Sequence, residues 1–157
     1  MTTSSATSNN VQPPEVPDAK DLISQIRFCH EKGEIWLQEA RMLLIHASDM
    51  GILREELVTS MGMERARGFL MRFGYQSGQR DAEVAHKIRS HMSLEQGFMA
   101  GVQLHAIEGI ALVVAKKVQL DPSIHHFYGE FDWHGSYEAD QYLAKHELSD
   151  SPVCWTL

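Results

Sequence analysis

Cysteine is scarce in this chain of 157 residues, and its two cysteines, Cys29 and Cys154, lie far apart in sequence. Such a pair gives neither a disulfide framework nor a CxxC metal or redox motif. Because stable disulfides belong to oxidising compartments, this cysteine usage favours a reducing, cytoplasmic setting. The opening MTTSSATSNN also lacks the basic start and apolar core of a signal peptide. We therefore expect a cytoplasmic protein.

Basic charge and long apolar runs are missing as well. The chain has 14 Lys and Arg against 21 Asp and Glu, which gives a formal net charge of -7, and its basic residues are scattered. This distribution excludes the basic surface typical of a nucleic-acid-binding domain. The longest apolar region, residues 97–115, is interrupted by Gln103, His105 and Glu108 and is too polar to span a bilayer. We expect neither membrane association nor direct nucleic-acid contact from this chain.

The motifs of several enzyme classes are absent too. The sequence contains no HExxH, no GxSxG and no lysine followed by Ser or Thr, which excludes a P-loop within the chain. Nine histidines, including His125 and His126, leave a metal hydrolase as an alternative. Those two histidines lie in or beside a predicted turn, where solvated side chains are the simpler interpretation. We therefore predict that the chain catalyses no reaction.

The composition that remains is that of one globular domain. Hydrophobic residues make up 43% and charged residues 22% of the chain, enough for a substantial core at this length. The first 17 residues are rich in Ser, Thr, Asn and Pro and cannot offset the entropy cost of ordering. We predict a disordered tail over residues 1–21 and a single domain over residues 22–157.

Apolar spacing and turn residues predict helices in the first two thirds of the domain. An extended piece at Ile35–Leu37 precedes helical sequence, and three- and four-residue spacing from Met63 onwards predicts a long helix with possible breaks at Gly74 and Gly78. Ser93 followed by Gln96 is a capping-box pattern, and Gly109 is typical of a helix end. These signals predict a helix over residues 93–108.

The sequence of the last third of the domain predicts two strands followed by a helix. The segments IALVVAKKVQL and HFYGEFDWH flank the turn sequence DPS and indicate two antiparallel strands, after which SYEADQYLAKH is helical. Ser151 and Pro152 resemble the start of a further helix, so we expect the chain to be a fragment that stops before its domain is complete. The predicted class is α+β, with helices packed on a small antiparallel sheet.

One histidine lies on the apolar face of the predicted 93–108 helix. Leu94, Phe98, Val102 and His105 follow one another at spacings of four, four and three, so the imidazole shares a stripe with apolar side chains. His105 should therefore point inward, where both ring nitrogens need an appropriate environment. The simpler interpretation is a core histidine that bonds to a backbone carbonyl.

The second predicted strand offers a partner for this histidine. Its residues 127, 129, 131 and 133 alternate with polar ones, which gives the strand one aromatic face. If that face packs on the helix, Phe98, Phe131 and Trp133 wall a space in which Gly101 and Gly129 leave room. Apolar walls with two convergent polar groups, the imidazole and the indole N–H, are typical of a small aromatic-ligand pocket. An aromatic core without a ligand is the alternative.

Five segments resemble one known family in the same order. They are IWLQEARMLL, RARGFLMRFGYQSGQRDAEVA, AGVQLHAIEG, FDWHGSYE and DSPVCWTL, and they are similar to the sensory domain of the XylR/DmpR-type, sigma-54-dependent activators of aromatic catabolism. The resemblance runs over residues 22–157. It implies a domain that binds a monoaromatic effector, such as a phenol or an alkylbenzene. It further implies a homodimer in which the effector relieves repression of a downstream ATPase and DNA-binding region, an ATPase that would lie beyond residue 157.

The resemblance also assigns roles to single residues. His105 and Trp133 would hold the effector hydroxyl, and Phe98, Ile107 and Phe131 would form the wall. A histidine in QLHA favours a phenolic effector. Cys154 matches the first ligand of a structural zinc site whose other ligands lie further along the family sequence. A sensor of toluene- or benzene-type hydrocarbons, and a dimerisation module without a ligand, remain alternatives.

Overall fold

The structure, a computed structural model, describes residues 19–156, with Ala19 and Asp21 described by their backbone alone. Its elements in chain order are α1 (Ala19–Ile23), β1 (Ile26–Cys29), β2 (Glu34–Leu37), β3 (Ala40–Met42), α2 (Ala47–Met61), α3 (Met63–Ile88), α4 (Leu94–Ile107), β4 (Leu112–Asp121), β5 (His126–His134) and α5 (Tyr137–Leu143). This is the α+β architecture that the sequence predicts. The predicted tail overlaps the first three residues of α1, and its residues 1–18 lie outside the described part.

The long helix α3 is continuous over 26 residues. Neither Gly74 nor Gly78 breaks it, although each costs about 1 kcal/mol relative to alanine in a helix. Gly74 has a packing reason to be glycine, because a Cβ at this position would lie 2.2 Å from the carbonyl oxygen of Thr156. Among residues 19–156, no helix is both long and apolar enough to cross a bilayer.

Helix α4 begins and ends where its sequence signals predict. The hydroxyl of Ser93 accepts from the backbone N–H of Gln96 at 3.3 Å, and the Gln96 side chain accepts from the backbone N–H of Ser93 at 3.1 Å. The capping box therefore satisfies two N–H groups that the first turn leaves unpaired. At the other end, Gly109 has a φ of 75°, and the N–H of Ile110 donates to the carbonyl of His105 at 2.8 Å.

The N-terminal strands form a three-stranded antiparallel sheet in the order β1-β2-β3. Its buried residue Leu37 packs in the core with Ala85 of α3 and with Ala100 and Leu104 of α4. The sequence predicts only the middle strand of this sheet. The outer strands have four and three residues, too few for a recognisable alternation of polar and apolar side chains.

The strands β4 and β5 form a separate antiparallel pair with a bulge. Val113 lies opposite Trp133 before the bulge, Leu120 lies opposite Phe127 after it, and the register shifts between residues 115 and 117. Residues directly opposite each other point to the same face of a sheet. The extra residue, Lys116, therefore brings Val113 and Leu120 to one face, although their odd separation would otherwise place them on opposite faces.

The predicted helix start at residues 151 and 152 is wrong, because residues 152–156 have no regular secondary structure. The guanidinium of Arg54 donates to the carbonyl of Val153 and lies 3.8 Å from the centre of the Trp155 ring. The backbone N–H of Thr156 donates to a carboxylate oxygen of Glu138 at 2.9 Å. These side chains from α2 and α5 bond the backbone groups that a helix would bond internally.

Candidate functional site

A cavity of about 460 Å³ lies between α3, α4 and the β4–β5 pair. This volume is within the range of small-molecule sites and about three times that of an engineered cavity known to hold benzene. Six residues of α4 line it: Leu94, Gly97, Phe98, Gly101, Val102 and His105. The apolar stripe that the sequence places on the inner face of α4 therefore faces this cavity, while the neighbouring stripe with Ala100 and Leu104 faces the core.

The sheet supplies the opposite wall through Val113, Leu120, Phe131 and Trp133. The ring centres of Phe98 and Phe131 lie 6.0 Å apart, so the aromatic face of β5 packs on α4 as predicted. Gly101 and Gly129, which the sequence predicts to leave room for a ligand, differ in the free space beside them. A Cβ on Gly129 would lie 2.4 Å from the Phe131 ring, whereas a Cβ on Gly101 would meet no atom within 4 Å. Phe131 thus fills the space beside Gly129, and Gly101 alone of the two opens into the cavity.

The imidazole of His105 and the indole of Trp133 meet in this cavity. Their ring centres lie 5.8 Å apart, with an angle of 38° between the ring planes. The Nδ1 atom of His105 is buried and has no hydrogen-bond partner among residues 19–156. Burial lowers the pKa of His105 below 6.5, and the nearby carboxylate of Asp81 opposes this change. A neutral imidazole with an unbonded nitrogen is able to accept a hydrogen bond.

Helix α3 contributes a wall that the sequence analysis did not identify. Gly78, Asp81, Ala82 and His86 line the cavity at helical spacings of three, one and four. This spacing was present in the sequence, but nothing local distinguished it from an exposed helix face. Among the described residues, the cavity lining includes no lysine or arginine.

Asp81 belongs to a cluster of three titratable side chains. Asp81, His105 and Glu108 each have one nitrogen or oxygen atom within 4.8 Å of the others. Burial raises the pKa of Asp81, which His105 and Arg80 partly oppose. Burial together with the charge of Asp81 raises the pKa of Glu108 to about 7. Histidine and carboxylates at this spacing are also able to ligate a divalent cation.

Two other residues assigned by resemblance lie elsewhere. Ile107 does not line the cavity, because two residues along a helix turn its side chain about 200° from that of His105. The Sγ of Cys154 lies 3.3 Å from the hydroxyl oxygen of Ser136. Among residues 19–156, no cluster of three or more His, Cys, Asp or Glu side chains includes Cys154.

Known proteins resemble this chain along most of its length. A family model described as an activator of aromatic catabolism, XylR_N, matches residues 21–121. The phenol regulator MopR of Acinetobacter guillouiae is 42% identical over 140 residues, and the transcriptional regulatory protein XylR of Pseudomonas putida is 43% identical over 142. Each alignment covers 89% of this chain but 25% of the relative, so the chain spans about a quarter of the length of these proteins.

A solved structure shares the fold. The crystal structure of the phenol-responsive sensory domain of the transcription activator PoxR with phenol aligns with a TM-score of 0.81 and 42% identity, over 87% of this chain and 68% of that one. The family resemblance predicted from the five sequence segments is confirmed. The family model matches well over half of the residues of this chain. This chain therefore belongs to the XylR_N family, the activators of aromatic catabolism.

Proposed function

We propose that this chain is the effector-binding sensory domain of a transcription activator and that its cavity binds a monoaromatic phenol. One observation carries the proposal: a buried, unbonded imidazole nitrogen lies beside an indole ring in a cavity with aromatic walls. The similarity to a phenol regulator and to a phenol-responsive sensory domain supports it.

In this proposal the phenol hydroxyl donates to the neutral imidazole of His105 and accepts from the indole N–H of Trp133. The aromatic ring packs against Phe98 and Phe131, whose rings already border the cavity. Ile107 has no direct contact with the effector. An aromatic without a hydroxyl would leave the buried Nδ1 of His105 unpaired, at a cost of about 1–3 kcal/mol or roughly five- to 150-fold in affinity.

In the longer protein, we propose that effector binding relieves repression of a downstream ATPase and DNA-binding region in a cytoplasmic, sigma-54-dependent homodimer. The chain itself binds the effector and catalyses no reaction. Cys154 would be one ligand of a structural zinc ion in that protein. A single cysteine sulfur beside Ser136 is not a zinc site, since structural zinc takes four ligands, so the remaining ligands would have to come from outside residues 19–156.

Calorimetric titration with phenol and toluene tests this proposal. The wild-type chain should bind phenol saturably and more tightly than toluene. His105→Leu should weaken phenol binding about tenfold or more and leave toluene binding unchanged, because only the hydroxyl contact is lost. His91→Gln, which alters an exposed histidine outside the cavity, is the control and should retain wild-type affinities.

Other results would favour the alternatives. Equal affinities for phenol and toluene in the wild-type chain would indicate a hydrocarbon sensor. Saturable binding of neither compound, in a chain that still associates with itself, would indicate a dimerisation module. Phenol binding unchanged by His105→Leu would show that the assigned pocket is wrong.

A further inference from the structure

The proposed phenol contacts leave one charged group of the cavity unused. Asp81 lines the cavity from α3, and a carboxylate oxygen lies within 4.8 Å of a ring nitrogen of His105. A phenol hydroxyl bonded to His105 would therefore lie close to this carboxylate. The ring positions next to that hydroxyl would approach it as well.

Two carboxyl groups lie at this end of the cavity, although only that of Asp81 lines it. Glu108 is the second carboxyl group of the cluster, and no lysine or arginine among the described residues lines the cavity. Arg80 is the cation that acts on Asp81, but its side chain does not line the cavity. Within residues 19–156, the cavity-lining groups able to carry positive charge are His86 and His105, and burial favours the neutral form of His105.

A negative group on the effector would thus meet the charge of Asp81, with no lysine or arginine in the described cavity lining to offset it. Two like charges about 5 Å apart at an effective dielectric constant of about 20 repel each other strongly enough to lower affinity by roughly two orders of magnitude. A neutral substituent of the same shape meets no such repulsion. The desolvation of an anion would weaken binding too, but that effect does not depend on Asp81.

Resting on the proposed function, we infer that Asp81 is a specificity-determining residue that excludes aromatic carboxylates from the cavity and so restricts the effector class to uncharged phenols. Glu108, directly after the end of α4, adds to the same negative field. The residue acts through its charge, so the inference concerns the ratio of affinities for anionic and neutral ligands and not the affinity for phenol itself.

Salicylate and salicylamide form the matched ligand pair for the test, since both are 2-hydroxylated rings with a planar substituent and only salicylate is charged. Calorimetry at pH 7.5 on chelator-treated wild-type chain should give an affinity for salicylamide roughly a hundredfold above that for salicylate. Asp81→Asn should reduce this ratio at least tenfold. Glu83→Gln, at an exposed position of the same helix, should keep the wild-type ratio.

A double variant tests the contribution of the neighbouring carboxyl group of Glu108. Removal of Asp81 lets Glu108 ionise more readily, so Asp81→Asn combined with Glu108→Gln should reduce the ratio further than Asp81→Asn alone. A ratio unchanged in both variants would overturn the inference and assign the exclusion of anions to desolvation. Salicylate binding that appears only with added Zn²⁺ or Mn²⁺ would also overturn it, since the cluster would then hold a cation. If wild-type chain binds neither phenol nor salicylamide, the proposed function itself fails.

Discussion

Glu108 should make the stability of this domain depend on pH in a direction opposite to that of most carboxylates. Its pKa in the folded chain is about 7, against an ordinary value of 4.5, because burial and the nearby charge of Asp81 disfavour the ionised form. Below pH 4.5 the group is protonated in both folded and unfolded chains and contributes no difference. Between pH 4.5 and 7 the unfolded chain loses this proton first, so stability falls as pH rises.

The size of this effect follows from the pKa. A rise from 4.5 to about 7 costs the folded state at most about 3.4 kcal/mol above pH 7, at about 1.36 kcal/mol per pH unit. Glu108 is only partly buried, so solvent screening reduces the cost to about 1–2 kcal/mol. Glu108→Gln is neutral at every pH and escapes this cost. We expect the variant to be more stable than wild type by about 1–2 kcal/mol at pH 8.

Urea unfolding at pH 5 and pH 8 measures the difference. The advantage of Glu108→Gln over wild type should be small at pH 5 and should increase to the full value at pH 8. Asp81 and His105 also titrate nearby, so Glu83→Gln, an exposed change on α3, serves as the control for general pH effects. An advantage of equal size at both pH values would refute the reasoning, because it would indicate a packing effect and not a proton-linked one.

Three further predictions concern particular residues. Gly74→Ala should destabilise the chain by about 1–3 kcal/mol, because its Cβ would meet the Thr156 backbone. Gly78→Ala should stabilise the chain by about 0.5–1 kcal/mol, because its Cβ would meet no atom within 4 Å and alanine favours the helix. Urea unfolding measures both changes, and effects of the same sign would contradict the packing argument. Ser93→Ala should lower the free energy of unfolding by about 1 kcal/mol, because the helix cap is lost. Ser93→Asp, which provides another capping side chain, should lower it less. Equal decreases of the two variants in urea unfolding would show that the cap is unimportant. Phenol affinity should fall as pH decreases through the lowered pKa of His105, because an imidazolium has no free acceptor nitrogen. Calorimetry over a pH series, with the protonation of His105 followed by NMR over the same series, tests this. An affinity that stays constant while His105 takes up its proton would show that a neutral imidazole is unnecessary.

Local signals were sufficient where an element depends on its own residues. The capping pair Ser93 and Gln96 and the terminating Gly109 determine the limits of α4, and their bonds and angles are those that such sequences form. The two-residue alternation around Phe131 and Trp133 likewise indicated the aromatic face that packs on α4. These features depend on neighbours within a few positions, which a sequence displays directly.

The same signals failed where a distant segment decides the conformation. Ser151 begins a sequence typical of a helix, yet Arg54 and Glu138 bond the backbone of the segment that follows it. Gly74 resembles a possible helix break, but its role is to admit the backbone of Thr156. No window of local sequence contains both members of such contacts.

The sequence by itself determined the family and the α+β class, and it placed His105 and Trp133 on the apolar faces of their own elements. Helical and strand periodicity and a motif shared across a family are properties of the chain order. The packing of these two elements then brings the ring centres to 5.8 Å. Only the tertiary structure decided that Asp81 lines the cavity and that Ile107 does not. It also decided, through the bulge at Lys116, that Val113 and Leu120 share a wall. These facts depend on the rotation of one helix and the register of one strand relative to another, and packing between segments fixes both.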